Sequence, residues 1–476
     1  MTTFAAEQAK HERWKAAAWP GFPAALDELV VREFWPAVQH RAWEAQALAD
    51  AVRFAVTNVP YYRTLFANLR LTPADVASPA DLPKLPILRK ETLVEQFAAM
   101  QSPVLPKGDA PGGVTKSSGT TGRPVTVAQS RASQWMFTAL WVRQARWFDF
   151  EPAGVFLEAR IPSEVRYANA DRPAPAGTLL SLPYWRYLGD LFRTGYAYGL
   201  NSTEAIDQQV AWLRKVQPTY AMTYPGVLEE WALAAGGRSP VESLKVVFSI
   251  GSQMTASLRA RLEAMYGIPV HQTYGLNEVG KVAFRCAAGR YHVNTEHCLV
   301  EIADAAGRPC EPGETGHLLA TTLRNPAMPL IRYDTGDMAR VAAGPCPCGR
   351  TLPSFADVEG RFRRFAGLPP GSRTRVNGLI AAVESFPPEQ SGFLRRYQIH
   401  QDKDNRYTLR VYAAGPVPEA FRDHVRKHWD SQEGVPGTLR GVTETEEIVN
   451  APSGKRLDFV SELTTDAYAT PPSGEE

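Results

Sequence analysis

Apolar positions along the middle of this chain follow two periods in turn. Over residues 203–216, TEAIDQQVAWLRKV, Ile206, Val210, Leu213 and Val216 recur near helical spacing. Ser202 or Thr203 is the expected N-cap, and Pro218 stands just past the end. TYAMTYP (219–225) then predicts a short buried strand, and GVLEEWALAAGG a helix that closes on two glycines. LKVVFSIG (244–251) predicts a strand, TASLRARLEAMYG (255–267) a helix and PVHQTYG a strand again. Strand–helix alternation of this kind predicts an α/β domain built on a mostly parallel sheet with packed helices.

After about residue 313 the pattern changes to short strands and turns, TGHLLATTL, LIRYDTGDMARVA and RFRRFAG. The last hundred residues or so hold a strand, YTLRVYAAG, and an amphipathic helix, PEAFRDHVRKHWD, enough for a small α+β domain. GLPPGSRTR (367–375) reads as a mobile connection, and TTDAYATPPSGEE as a disordered tail. The expected division is a large domain over 1–360, a small mobile one over 361–463 and a tail over 464–476.

Composition narrows the partners. The chain has 476 residues, with 52 Lys and Arg against 50 Asp and Glu. So even a balance argues against nucleic acid or an anionic membrane as main partner. Glu7, Lys10, His11, Glu12 and Arg13 interrupt any apolar signal core, and no 18-residue apolar run predicts a membrane span. The cytoplasm is the expected compartment. There, five cysteines are better metal ligands or buried thiols than disulfides.

The motif with most chemistry in it is Lys116-Ser-Ser-Gly-Thr-Thr-Gly-Arg-Pro124. Gly119 and Gly122 let backbone N–H groups turn toward one point. Ser117, Ser118, Thr120 and Thr121 add hydroxyl donors, and Lys116 and Arg123 add positive charge. Such a loop suits a polyphosphate. It differs from the P-loop pattern, because its Lys comes first.

This loop resembles that of the adenylate-forming enzymes, and three further blocks follow in that superfamily's order. They are Tyr274-Gly275-Leu-Asn277-Glu278, Tyr333-Asp-Thr-Gly-Asp337 and Pro452-Ser-Gly-Lys455. Val59-Pro-Tyr-Tyr-Arg63, Leu82-Pro-Lys-Leu-Pro86 and Cys346-Pro-Cys-Gly-Arg350 resemble the phenylacetate-CoA ligase branch. The resemblance implies that a carboxylic acid and ATP give an acyl-adenylate and pyrophosphate, after which a thiol, usually CoA, displaces AMP. It implies Glu278 as the Mg²⁺ ligand, Tyr274 on the adenine face and Asp337 on the ribose hydroxyls. Gly251 and Ser252 would offer the adenine edge backbone groups, Arg361 would also reach the nucleotide, and Lys455 would neutralise charge at the α-phosphate.

Two departures stand out. The usual Thr before Glu278 is Asn277, which puts the exact phosphate contact in question. At the expected hinge after Gly360-Arg361, Arg363 and Arg364 replace two Asp. Either the hinge tolerates the change or the acceptor differs, an amine or a carrier protein in place of CoA. An unusual acid belongs to that same alternative, and a ligand-binding homologue without activity is a third reading.

Cys286, His292, Cys346 and Cys348 form a set suited to structural zinc, which the branch resemblance supports. His297, Cys298 and Cys310 are rivals, with Cys298 read as core. Trp135, Phe137, Trp141, Trp185 and Tyr224 are candidates for a flat, aryl-acid pocket. The small-molecule acid, ATP and CoA are the expected partners, and a homodimer is compatible with them.

Overall fold

The computed structural model describes residues 3–17, 25–116, 125–161, 176–251, 254, 256–361, 379–380, 382–383, 385–387, 390–432, 435–446, 448 and 459–463. The described residues divide into two compact units, one from 1–253 and 265–359, the other from 254–264 and 360–476.

The first unit opens with helices that the periodicity reading had not marked: α1 (Phe4–Ala17), α2 (Ala25–Arg32), α3 (Ala37–Asn58) and α4 (Pro60–Leu69). α3 buries Leu48, Val52 and Ala55, three or four residues apart, which is one helical face. α4 starts on Pro60, whose missing N–H costs nothing at a first turn. It buries Tyr62 and Phe66 and ends where Arg70 turns left-handed at φ 56°. Short helices α5 (Lys90–Glu95) and α6 (Phe97–Met100) follow. A hairpin, β1 (Pro111–Lys116) with β2 (Thr126–Ser130), then leads into α7 (Arg131–Trp147). Ser130 caps α7 by accepting from the Ser133 N–H at 3.2 Å.

The chain then builds β3 (Phe156–Arg160), β4 (Leu180–Leu182), β5 (Ala197–Asn201), α8 (Ile206–Val216), β6 (Tyr220–Thr223), α9 (Pro225–Ala234), β7 (Val246–Ser249), α10 (Ala256–Tyr266) and β8 (Val270–Leu276). Strands β9 (Gly280–Arg285), β10 (Tyr291–Val293), β11 (Cys298–Ala303), β12 (Thr315–Thr322), β13 (Tyr333–Val341) and β14 (Ser354–Arg361) complete a twelve-stranded sheet. Its order is β11-β12-β13-β14-β10-β9-β8-β7-β6-β3-β5-β4.

The expected parallel sheet is one half of this. β5, β3, β6, β7 and β8 run parallel, and every residue of β6 and β7 is buried, as strands covered on both faces require. β8 is where direction changes. Val270–Gln272 pair parallel with β7, while Thr273–Leu276 pair antiparallel with β9 through a register shift at Tyr274/Gly275. The 274–278 block therefore sits where the parallel half meets the antiparallel half.

One element starts later than its sequence suggests. α8 begins at Ile206, because Asn201 Oδ1 accepts from the Thr203 N–H and hydroxyl at 2.9 and 2.8 Å. That closes a local turn in place of an N-cap at Ser202 or Thr203.

The second unit carries a four-stranded sheet, β17-β16-β15-β18, from β15 (Leu394–Gln401), β16 (Tyr407–Ala413), β17 (Leu439–Glu444) and β18 (Phe459–Ser461). Helix α11 (Glu419–Asp430) buries Phe421, Val425 and Trp429, and these join the β15 and β16 side chains Ile399, Tyr407, Leu409 and Val411 in one core.

Candidate active site and metal centre

Three of the sequence blocks meet through direct hydrogen bonds. Asn277 Nδ2 donates to the Lys116 carbonyl at 2.9 Å, and Thr115 Oγ1 donates to the Asn277 carbonyl at 2.8 Å. The base of the glycine-rich loop is thus clasped to the 274–278 block. The Tyr274 hydroxyl donates to Asp337 Oδ2 at 2.7 Å, both residues being buried. The Tyr333 hydroxyl lies 3.5 Å from Glu278 Oε1. The other carboxylate of its block, Asp334, pairs with Arg89 at 2.6 Å and accepts from the Gly336 N–H, so it is structural. Its ionised form is held well below the usual range: burial opposes this, but His317, the Gly336 N–H and Arg89 outweigh it.

Gly275 has to be glycine, because a side chain there would lie 2.7 Å from the Gly280 carbonyl. Gly251, at φ +73°, follows β7, and Tyr224 follows β6. A Cβ on Gly251 would come within 2.7 Å of the Tyr224 ring. Arg160 ends β3, two residues after Glu158. Gly251, Tyr224 and Arg160 lie at or just past the carboxyl ends of parallel strands, the side on which open α/β sheets bind ligands.

The aromatic candidates separate. Phe137 and Trp141 share a face of α7. Trp141 stacks on Tyr187 at 4.8 Å, and Phe137 lies 6.2 Å from the same ring. Trp185 is buried and packs among Trp14, Phe150, Phe156 and Tyr220. Trp135, two positions before Phe137, points elsewhere around the helix. It lines a cavity of about 740 Å³ with Trp43, Phe54 and Leu323.

Two polar groups beside the aromatic face had no motif to mark them. Glu158 is fully buried and accepts from Tyr187 Oη at 2.6 Å and Arg186 Nη1 at 2.9 Å. Lys281, on β9 opposite Gly275, reaches the α7 face, where its Nζ donates to Gln144 Oε1 at 2.6 Å. Burial, with help from the Arg160 charge, pushes its pKa down to about 7. A single lysine inside an otherwise apolar strand, GKVAFR, was the only trace in the sequence.

Cys286, His292, Cys346 and Cys348 bring their ligand atoms within 4.8 Å of one another. Cys286 Sγ lies 3.6 Å from Cys346 Sγ, and Cys348 Sγ lies 3.3 Å from His292 Nε2. His292 Nδ1 faces the Leu352 carbonyl at 3.2 Å, which leaves Nε2 for a metal, and the Arg350 N–H donates to Cys348 Sγ at 3.4 Å. Hydrogen bonding from Cys286 and His292 holds the Cys348 thiol down to about 3, against burial. Against burial too, the thiolates hold His292 up to about 9. Near neutral pH the proton of this pair therefore sits on His292 and not on Cys348, and a zinc ion would displace it. His297, Cys298 and Cys310 stand outside the cluster. Cys298 is a buried β11 residue, as its apolar setting implied.

A buried ion cluster ties this centre to the N-terminal helices. Glu33 takes Arg146 at 2.5 Å, Arg350 at 3.1 Å and the Trp147 indole at 2.8 Å. Glu7 takes Arg146 at 2.9 Å and Arg350 at 3.0 Å, and Glu296 holds Arg143 through two oxygens at 2.7 and 2.9 Å. The Arg350 guanidinium also lies 3.9 Å over Trp147, whose ring meets His292 edge-on.

Ser117, Ser118, Gly119, Thr120, Thr121, Gly122, Ser252, Arg363, Arg364 and Lys455 lie outside the described residues, as does the 464–476 tail. Arg361 ends β14, and its side chain is not described.

The family model for AMP-binding enzymes matches residues 191–325. The phenylacetate-coenzyme A ligase of Aromatoleum evansii is 28% identical over 85% of this chain and 87% of its own. The ligase of the same name from Thermus thermophilus is 26% identical over 76% and 80%. Among solved structures, 2-hydroxyisobutyryl-CoA ligase in its postadenylation state superposes with a TM-score of 0.71. That likeness covers 90% of this chain and 91% of the other at 19% identity, and it speaks for the fold. The joined motif blocks, the family-model match and the curated relatives support an adenylate-forming enzyme. Within that class the chain is phenylacetate-CoA ligase-like.

Proposed function

We propose that this chain activates an aromatic carboxylic acid with ATP, releasing pyrophosphate, and then transfers the acyl group from AMP to CoA. The observation that carries the reading is the hydrogen-bonded junction of Lys116, Asn277, Tyr274 and Asp337 where the parallel and antiparallel halves of the sheet meet.

Two anions must meet in the first step, so the site has to neutralise charge. Lys116 and the backbone and hydroxyl donors of Ser117, Ser118, Gly119, Thr120, Thr121 and Gly122 would hold the ATP phosphates. Asp337, oriented by Tyr274, would accept from the ribose hydroxyls, since a carboxylate takes several hydrogen bonds at once. The Tyr274 ring, Gly275 and the backbone at Gly251 and Ser252 would border the adenine, with Arg361 also on the nucleotide. Asn277 would act as a clasp on the loop rather than a phosphate ligand. Magnesium, when bound, would screen the phosphates, and Glu278 is its ligand in this scheme. Lys455, on the small domain, would meet the charge that develops between acyl oxygen and α-phosphate, and a mobile small domain would then admit the thiol.

The zinc assigned to Cys286, His292, Cys346 and Cys348 would be structural, because four protein ligands leave no open position. A cytoplasmic setting and a homodimer fit this scheme. A second reading concerns only the acceptor: Arg363 and Arg364 reverse the hinge charge, which favours an amine or carrier-protein thiol if CoA fails.

The test is acid-dependent pyrophosphate release across a panel of aryl acids, followed by mass spectrometry with CoA, amines and carrier proteins as acceptors. Acyl-CoA formed only when acid, ATP and CoA are all present is the expected result. No release with any acid overturns the activity.

A further inference from the structure

The α7 stripe Phe137, Trp141, Gln144 repeats at four and three residues, one face of a helix, and Lys281 of β9 reaches into it. The ammonium lies 4.8 Å from the Trp141 ring centre, 5.0 Å from Phe137 and 5.5 Å from Phe284. The Lys281 nitrogen has three N–H donors as an ammonium and two as a neutral amine. One goes to Gln144 Oε1; the rest have no hydrogen-bond partner among the described residues. Gln144 is 0% exposed, and its Nε2 is also a buried donor without a partner there. The Lys281 nitrogen and the Gln144 amide thus sit beside the aromatic face with N–H groups that meet no oxygen or nitrogen acceptor among the described residues. Buried donors in this state are costly unless something supplies the acceptor.

The geometry points to a ring substituent on the substrate as that acceptor: Lys281 and Gln144 select an aromatic acid that carries a phenolic oxygen or a second carboxylate. The inference rests on the activity proposed above. The aromatic walls at Trp141, Tyr187 and Phe137 accept the flat ring, while the polar corner accepts the substituent oxygen. A plain aryl acid would enter the same walls but leave the donors unmatched, and sites built to hydrogen-bond a substrate group discriminate strongly against analogues that lack it.

The test compares phenylacetate and benzoate with their hydroxy and carboxy derivatives, using full-length wild type, Lys281→Met, Gln144→Leu and Lys281→Arg. Pyrophosphate release should favour one substituted series over its parent by about tenfold or more in kcat/KM. In Lys281→Met that ratio should collapse through KM, and Lys281→Arg should recover part of it. The series that leads, hydroxy or carboxy, identifies the acceptor. An equal loss on parent and derivative in Lys281→Met overturns the inference, as does a wild-type preference for the parents. Tryptophan fluorescence, with Trp141 beside the ammonium, reads binding without turnover. Lys281-dependent quenching by a substituted acid, with no pyrophosphate from any acid, would sink the activity and keep the selectivity. No saturable quenching by any of these acids would sink the selectivity.

Discussion

The hydroxyl of Tyr274 and the carboxylate of Asp337 share a buried 2.7 Å hydrogen bond across 63 residues of chain. Two motif blocks become one surface through it, with β8 contributing the ring and β13 the acid. A hydrogen bond to a charged group is worth about 1.5–3 kcal/mol. Tyr274→Phe should therefore raise the KM for ATP roughly tenfold while the melting temperature falls only slightly. Asp337→Ala should cost more than Tyr274→Phe. An unchanged KM in Tyr274→Phe would separate the two residues functionally.

Asn277 ties the loop base to the β8 end by its side chain. Asn277→Ala removes that clasp and should weaken ATP use about fivefold to tenfold, consistent with the loss of one or two hydrogen bonds. The effect belongs in KM for ATP, not in KM for the acid. Steady-state kinetics with each substrate varied in turn would distinguish them.

Lys455→Ala should abolish acid-dependent pyrophosphate release and spare ATP binding in equilibrium dialysis. Pyrophosphate release near the wild-type rate would remove Lys455 from the adenylation step.

The thiol cluster should bind one zinc per chain, measurable by elemental analysis. Cys346→Ser should lose that zinc and lower the melting temperature, because metal binding energy of this kind is folding energy. Fully folded, metal-free wild type would contradict the assignment.

Acid should weaken the buried Glu33 cluster. Burial alone would raise this carboxyl, yet Arg146, Arg143 and Arg350 hold it down to about 2, against an ordinary 4.5. A folded-state value below the unfolded one stabilises the protein above pH 4.5, and that contribution is lost as pH falls from about 4.5 toward 2. Its size is a few kcal/mol. Glu7, which burial and Glu33 push upward, offsets part of this. Urea unfolding between pH 5 and 2.5 should show stability falling with pH. Glu33→Gln should lose stability at neutral pH, since it leaves buried guanidinium groups undercompensated.

Much of the site could be read from sequence because it is made of local blocks. Lys116, Tyr274–Glu278 and Tyr333–Asp337 are contiguous runs whose residue types state their chemistry. The members of the Cys286, His292, Cys346 and Cys348 cluster were recognisable by type, although 60 residues separate Cys286 from Cys346. The parallel half of the sheet was legible because buried strands read as unbroken apolar runs between helices. In the antiparallel half TGHLLATTL and LIRYDTGDMARVA were legible as strands, now β12 and β13, but the pairing of that half and helices α1–α4 were not, since their partners are remote in sequence. The Glu7, Glu33, Arg143, Arg146 and Arg350 cluster left no trace either. Each residue alone looks like a surface charge, and only partners more than 100 positions away reveal the burial.

Helix α7 spans 17 residues, about 25 Å of stiff backbone. Its middle carries Phe137 and Trp141, proposed for the acyl pocket, and its last residue, Trp147, lies between Arg350 and His292 of the proposed zinc set. It works as a strut with one foot in each site. Oxidation of the thiols would therefore not stay a local injury: the strut would lose its footing, and the acyl pocket would register damage suffered at a site that does no chemistry.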